Sequence, residues 1–152
     1  MTMSLQEISD RLEIQELFVD YTQAIDRRNW GALDDVFTPD AFIDYSSTGG
    51  SKGDLPSTKE FLAQAMPMFK SFQHMVGTSK IVVDGDTATA TSICHNPMVL
   101  PGENGGAPRT FYVGLWYHDK LVRTDNGWRI KERVEELSYF HNAPEGMTPP
   151  GY

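Results

Sequence analysis

Two of the four histidines, His74 and His95, stand near opposite ends of the stretch SFQHMVGTSKIVVDGDTATATSICHNPMVL, Ser71 to Leu100, which reads as two strands joined at VDGDT. If Asp84 and Gly85 form a two-residue turn, Val83 pairs with Asp86, and counting outward brings His74 opposite His95. A four-residue loop makes them diagonal neighbours on the same face, because side chains alternate with period two. A three-residue loop with a bulge changes that parity. A neutral imidazole accepts a proton near neutral pH, and a carboxylate on its other nitrogen fixes the tautomer and stabilises the imidazolium that forms. Asp26, at the end of a long helical pattern, is the candidate carboxylate for His74. Removing a proton beside a carbonyl or an electron-poor ring builds negative charge on oxygen, to which a Tyr45 hydroxyl or a His95 N–H can donate. Each residue also has a plainer reading. His74 fits a hydrogen-bonded core histidine, Asp26 a solvated helix end or a partner of Arg27 or Arg28, and Tyr45 a packed aromatic.

The elements that must position these groups follow from hydrophobic spacing. Leu5, Ile8 and Leu12, then Ile14, Leu17, Phe18, Tyr21 and Ile25, predict a helix from about Leu5 to Asp26 that no Gly or Pro interrupts. A second stripe, Val19, Thr22, Gln23 and Asp26, runs alongside and brings Asp26 toward the core margin. A short helix is expected in NWGALDDVF. AFIDYSS alternates as a strand with Ala41, Ile43 and Tyr45 on one face. STKE fits a capping box that starts another helix at Ser57, and Pro67 should end or kink it. From His74 onward the pattern is a meander of about four strands, with Asn126-Gly127 suited to a tight turn. Helices first and a mostly antiparallel sheet after them make the fold class α+β, with N-terminal helices packed on one face of a curved sheet. The chain is expected to be one domain, residues 1–152, with 141–152 a Pro- and Gly-rich tail.

Composition narrows the chemistry. The 152 residues carry a formal net charge of −8, and the 13 Lys and Arg form no basic stripe, so phosphate backbones and anionic membranes are poor partners. The single cysteine, Cys94, leaves no intrachain disulfide and no Cys-rich zinc site. GGSKG lacks the order of a phosphate-binding loop. No long apolar segment is present and MTMSLQEISDR lacks a signal-peptide layout, so a reducing cytoplasm is the expected compartment. Phe18, Trp30, Phe61, Met66, Phe69 and Trp116 are candidate pocket residues for an apolar or aromatic ligand, although core packing explains them equally well. Arg133 is a candidate substrate contact or a surface charge.

AIDRRNW with Asp26, FIDYSS with Tyr45, FQHMVGTS with His74 and GDTATATSICHNPM with His95 resemble the scytalone dehydratase-like, SnoaL-like family of the nuclear transport factor 2-like superfamily, over nearly the whole chain in element order. The resemblance implies a cone-shaped α+β barrel with an internal pocket, a dimer or trimer, and a histidine base oriented by an aspartate. Those roles fall to His74 and Asp26. His95 and Tyr45 would match the second histidine and strand tyrosine of the dehydratase. The chain departs from the dehydratase pattern at Ile25, where that enzyme has a tyrosine. The leading function is a cofactor-independent, dehydratase-type lyase acting on a small aromatic or polyketide-like molecule. Isomerisation, cyclisation or retro-aldol cleavage by the same dyad remain open. So do a non-haem metal enzyme, since two histidines and a carboxylate match a facial triad, and a small-molecule binding protein without catalysis.

Overall fold

The computed structural model describes residues 2–149. Helix α1 spans Leu5–Asp26, as its uninterrupted spacing predicts, and the Ser4 hydroxyl caps it by accepting from the Glu7 amide. Its buried face is Asp10, Ile14, Leu17, Phe18, Tyr21, Ala24 and Ile25. Leu5, Ile8 and Leu12 are exposed, contrary to the single apolar face expected for the helix. At 3.6 residues per turn these three fall about half a turn from Ile14, Leu17 and Tyr21, and Val19 joins them on the outer side. A 3-10 helix over Trp30–Asp35 follows, then strand β1, Phe37–Asp44.

After the short strand β2, Lys52–Asp54, helix α2 covers Leu55–Ala65. It begins two residues before the expected capping box. Pro56 is tolerated in a first helical turn, and the Asp54 carboxylate, not Ser57, is the cap, accepting from the Ser57 amide at 2.9 Å. Pro67 sits in the 3-10 turn Met66–Met68 that ends the helix. The remaining strands are β3, Ser71–Phe72, β4, Met75–Asp84, β5, Thr87–Leu100, β6, Arg109–Thr124, and β7, Gly127–His141. One sheet runs β2-β1-β7-β6-β5-β3, with β4 also on β5. Every pairing is antiparallel except β1 with β7. The protein is therefore α+β, a curved and unclosed sheet with helices on its concave side. The core fills that concavity, from Ile14, Tyr21 and Ile25 of α1 to Leu115, Tyr117 and Ile130 of the sheet. None of the helices among the described residues is long and apolar enough to cross a membrane. Residues 150–152 of the expected tail lie outside the described residues.

The β4–β5 turn decides which residues face that core. Asp84 pairs with Thr87, so Gly85 and Asp86 form the turn, one residue later than expected, with Gly85 at φ 59°. A bulge between Val76 and Ser79 then shifts the register again, leaving Met75 opposite His95. The later hairpin is displaced the other way: Thr124 pairs with Gly127, so Asp125-Asn126 make the turn, one residue earlier than expected.

Candidate active site

His74 occupies the break between β3 and β4, where the chain passes the C-terminal end of α1. Asp26, the last residue of that helix, holds it at three points. The His74 backbone N–H donates to Oδ1 and Oδ2 at 3.1 and 3.0 Å, and Nδ1 lies 2.7 Å from Oδ1. A carboxylate accepts here, so Nδ1 carries the proton and the lone pair of the neutral ring is on Nε2. The Asn96 amide nitrogen donates to Nε2 at 3.1 Å. Arg28 does not compete for Asp26: its guanidinium donates to the Phe69 carbonyl at 2.7 Å and lies over the Phe72 ring. The Phe72 edge packs against the His74 ring in turn, and the His74 side chain is 8% exposed.

His74 and Asn96 open onto a cavity of about 460 Å³, largely walled by apolar side chains from Ile25, Phe61, Leu62, Met66, Phe69, Met98 and Phe111. Its polar lining includes Tyr21, Tyr45, Thr48 and Glu135, and the segment from Gly146 to Pro149 lies along its edge. The Tyr21 and Tyr45 hydroxyls are hydrogen-bonded to each other at 2.8 Å. Burial raises both phenols above their ordinary range, Tyr45 the more strongly, so each is a neutral hydroxyl donor. Beneath them Arg133 is fully buried, bidentate to Asp119 at 2.7 Å for both contacts, with its guanidinium 4.1 Å from the centroids of both Tyr21 and Tyr117. The Thr48 hydroxyl lies 2.5 Å from Glu135 Oε2 and 3.0 Å from the Tyr45 carbonyl. Burial pushes the Glu135 carboxyl up to about 8, helped by the Asp44 charge and opposed by the Thr48 hydrogen bond and the Arg133 charge.

The structure thus brings Asp26, His74 and Tyr45 to one region, together with Phe61, Met66 and Phe69. It takes other expected residues elsewhere. His95 is on the outer sheet face, stacked on Tyr112 at 5.5 Å and bonded to the Tyr139 hydroxyl at 3.0 Å. The displaced turn and the bulge move β5 by one residue relative to His74, and a one-residue shift exchanges the two faces of a strand. Asn96 takes the inward place. Trp116 also faces outward, because it lies between the inward Leu115 and Tyr117. Arg133 is neither a surface charge nor a cavity residue but a neutralised core cation. Phe18 packs against it, with the guanidinium 5.7 Å from the ring, and lines a shallow cleft between α1 and β4 on the other side of His74. Trp30 packs on the core from the 3-10 helix, away from the cavity. With His95 outside, the two-histidine, one-carboxylate set is not assembled, and no group of three metal-ligating His, Cys, Asp or Glu forms among the described residues.

The sequence reading missed Asn96, Tyr21, Thr48 and Glu135. Tyr21 carried a signal, since it lies on the same helix face as Ile14 and Ile25. Glu135 carried none, for it stands in a run, KERVEE, that reads as a solvated strand.

Comparison with known proteins agrees with this architecture. The SnoaL-like domain model matches residues 6–134. The uncharacterized protein Rv2910c of Mycobacterium tuberculosis is 51% identical over 133 residues, 88% of either chain. Among solved structures, a provisionally named scytalone dehydratase of Novosphingobium aromaticivorans superposes with a TM-score of 0.81 at 18% identity, covering 99% of both chains. Hexachlorocyclohexane dehydrochlorinase LinA-type3 of Novosphingobium barchaimii gives 0.77 at 21% identity, covering 96% of this chain and 99% of the other. A nuclear transport factor 2-like superfamily protein of Salmonella enterica gives 0.69 at 21% identity, covering 95% and 98%. The structural likenesses establish a shared fold, and the sequence match fixes the kinship: this chain belongs to the SnoaL-like domain family, on the nuclear transport factor 2-like fold.

Proposed function

We propose that the protein is a cofactor-independent lyase that starts an elimination by removing a proton from carbon with His74, oriented by Asp26. The observation that carries this reading is the triple grip of Asp26 on His74, which fixes ring position and tautomer and leaves Nε2 on the side of a mostly apolar cavity. Asp26 is an unusual choice for the last residue of a helix, because the final carbonyls already concentrate negative charge there. An imidazolium formed beside it would be favoured by both the carboxylate and the helix end. To accept a proton, Nε2 must exchange the Asn96 N–H for the substrate C–H. Asn96 can then turn its Oδ1, which is buried without a partner, to accept from the new Nε2–H. An amide suits that position because it offers a donor before the transfer and an acceptor after it. The Tyr21–Tyr45 pair offers a hydroxyl to oxygen that gains charge. Neighbours on the same fold whose names denote a dehydratase and a dehydrochlorinase support elimination as the reaction class.

The cavity suits a molecule of one or two rings, and a β-hydroxy ketone fused to an aromatic ring has the required acidic C–H and leaving oxygen. Turnover of 3-hydroxy-1-tetralone would release water and give the enol 1-naphthol, which is fluorescent. His74→Ala should lower turnover by about 10²–10⁴, the usual contribution of a positioned base. Asp26→Asn should also be severe, since an amide cannot offset the imidazolium charge. Because Asp26 acts through His74, the double variant should be little slower than His74→Ala alone. Additive losses would assign the carboxylate a separate task and overturn the orienting role.

A further inference from the structure

Resting on the base reading above, we infer that Glu135 is the catalytic acid of the same cavity: it enters the reaction as a neutral carboxylic acid and delivers its proton to the oxygen that leaves the substrate. Glu135 lines the cavity with His74 and Asn96, yet hangs from a different strand, β7, and is bonded to the loop that follows β1. Its protonation follows from counting hydrogens around Thr48. The Thr48 hydroxyl has one proton and two close oxygens, the Tyr45 carbonyl at 3.0 Å and Glu135 Oε2 at 2.5 Å. A carbonyl cannot donate. If Glu135 were a carboxylate, one of these contacts would set lone pair against lone pair. With the proton on Glu135, the carboxyl donates to Thr48, Thr48 donates to Tyr45, and both contacts are hydrogen bonds. The short O···O distance suits a carboxyl donor.

The neighbours support the same state. The charged or titratable groups that act on Glu135, or on which it acts, are Asp44 of β1, Tyr45 after it, Tyr21 of α1, Cys94 of β5, Tyr117 of β6, and Arg133 of its own strand. Arg133 is the one cation among them, and its guanidinium is taken up by Asp119. Cys94 is pushed up to about 12 by burial, and the phenols are likewise raised, so none of these ionises before Glu135.

The step balances. His74 Nε2 takes the proton from carbon, and the C–H electron pair forms the new double bond. The C–O bond breaks, its electrons stay on oxygen, and that oxygen takes the Glu135 proton and departs as water. Thr48 then turns its hydroxyl from the Tyr45 carbonyl to the new carboxylate. The carbonyl keeps the backbone N–H of Gly50 at 2.9 Å, so the turn leaves no acceptor bare. When the products leave, the proton on His74 returns to Glu135 through water. The substrate implied is uncharged, because the described residues of the cavity offer no unpaired cation to an anion and a proton, not a salt bridge, to an oxygen.

The test needs no natural substrate. In protein labelled with ¹³C at glutamate carboxyls, the signal lost in Glu135→Gln should titrate near pH 8, and Thr48→Val should move that midpoint upward by removing the hydroxyl that stabilises the carboxylate. As a probe, 2-tetralone carries its single oxygen, which only accepts, at the ring position from which the hydroxyl of 3-hydroxy-1-tetralone leaves. Its Kd should rise about tenfold between pH 6.5 and 9.5 for the wild type and for His74→Ala, and stay flat for Glu135→Gln, which donates at every pH. A Glu135 signal already ionised at pH 6, or the same pH dependence of tetralone binding in Glu135→Gln as in the wild type, would overturn the assignment. Loss of the His74 effect on 3-hydroxy-1-tetralone turnover, with these titrations intact, would instead remove the base and keep the acid.

Discussion

A carboxyl held neutral by burial leaves a mark on stability that is independent of any substrate. Glu135 is raised from 4.5 to about 8, chiefly by burial. In the unfolded chain it ionises near 4.5, and in the folded protein it keeps its proton to about pH 8. Between those limits the folded state binds one more proton, so stability falls as pH rises. At 1.4 kcal/mol per pKa unit, the loss attributable to this residue is about 3 kcal/mol between pH 5 and 8. Its full extent, once Glu135 ionises in the folded state too, is roughly 4–5 kcal/mol. Glu135→Gln keeps the shape and removes the titration. Urea unfolding of both proteins at pH 5, 6.5 and 8 isolates this residue, because every other group contributes equally and cancels. The variant should gain on the wild type steadily across the series, and be the more stable protein at pH 8. Parallel stability curves would mean that Glu135 ionises alike in both states, and the proton count around Thr48 would then be wrong.

The remaining predictions concern other positions. His95→Ala should leave turnover of 3-hydroxy-1-tetralone unchanged, because the ring is on the outer face with Tyr112 and Tyr139; a loss comparable to His74→Ala would place His95 in the site after all. Asn96→Leu should slow turnover by about tenfold, the worth of one hydrogen bond to a charged group, and an unchanged rate would show that the amide does not follow the proton. Asp10 is buried and held low, at about 2, chiefly by Arg123, with the Trp128 N–H also donating to it. Its folded pKa lies below the unfolded 3.8, so its contribution of about 2 kcal/mol is present above pH 3.8 and fades as pH falls toward 2. Urea unfolding of Asp10→Asn should show that deficit at pH 6 and a shrinking one at pH 3.

The parts of the fold that were legible are those set by unbroken local periodicity. Helix α1 has the predicted bounds because neither Gly nor Pro interrupts it, and Ala41, Ile43 and Tyr45 face inward because burial alternates from Ala41 to Tyr45 even though β1 shifts register on β7 between Phe37 and Phe42. His95 was misplaced for a reason no local pattern reveals. The turn took Gly85-Asp86 instead of Asp84-Gly85, the Val76–Ser79 bulge moved the register again, and the net odd shift put Asn96 inside. Strand β7 hid Glu135 in the same way. Trp128 and Ile130 face the core, and strict alternation from them would send Glu132, Val134 and Glu136 inward. The irregularity opposite Lys120 and Leu121 inserts one residue, so Arg133 and Glu135 turn in. A charge in a strand then reads as solvated when it is buried, and only the assembled sheet shows it.

An acid and a base can serve one reaction only if each is in its working protonation state at the same pH, and this fold supplies different surroundings for the two. His74 sits where α1 ends, with Nδ1 held by the partly exposed Asp26 carboxylate and Nε2 turned toward the cavity. Glu135 is buried on the inner face of the sheet, where the guanidinium beside it is already bound by Asp119 and burial favours the neutral carboxyl. Freeing Arg133 would collapse that difference. Asp119→Asn leaves the guanidinium buried without a counter-ion, and Glu135 is the nearby group able to supply one by giving up its proton. The variant should therefore bring the Glu135 carboxyl signal below pH 7 and flatten the pH dependence of tetralone binding above it. If the Glu135 midpoint instead stays near 8 in folded Asp119→Asn protein, the Asp119–Arg133 pair has no part in keeping the acid protonated, and burial alone must account for it.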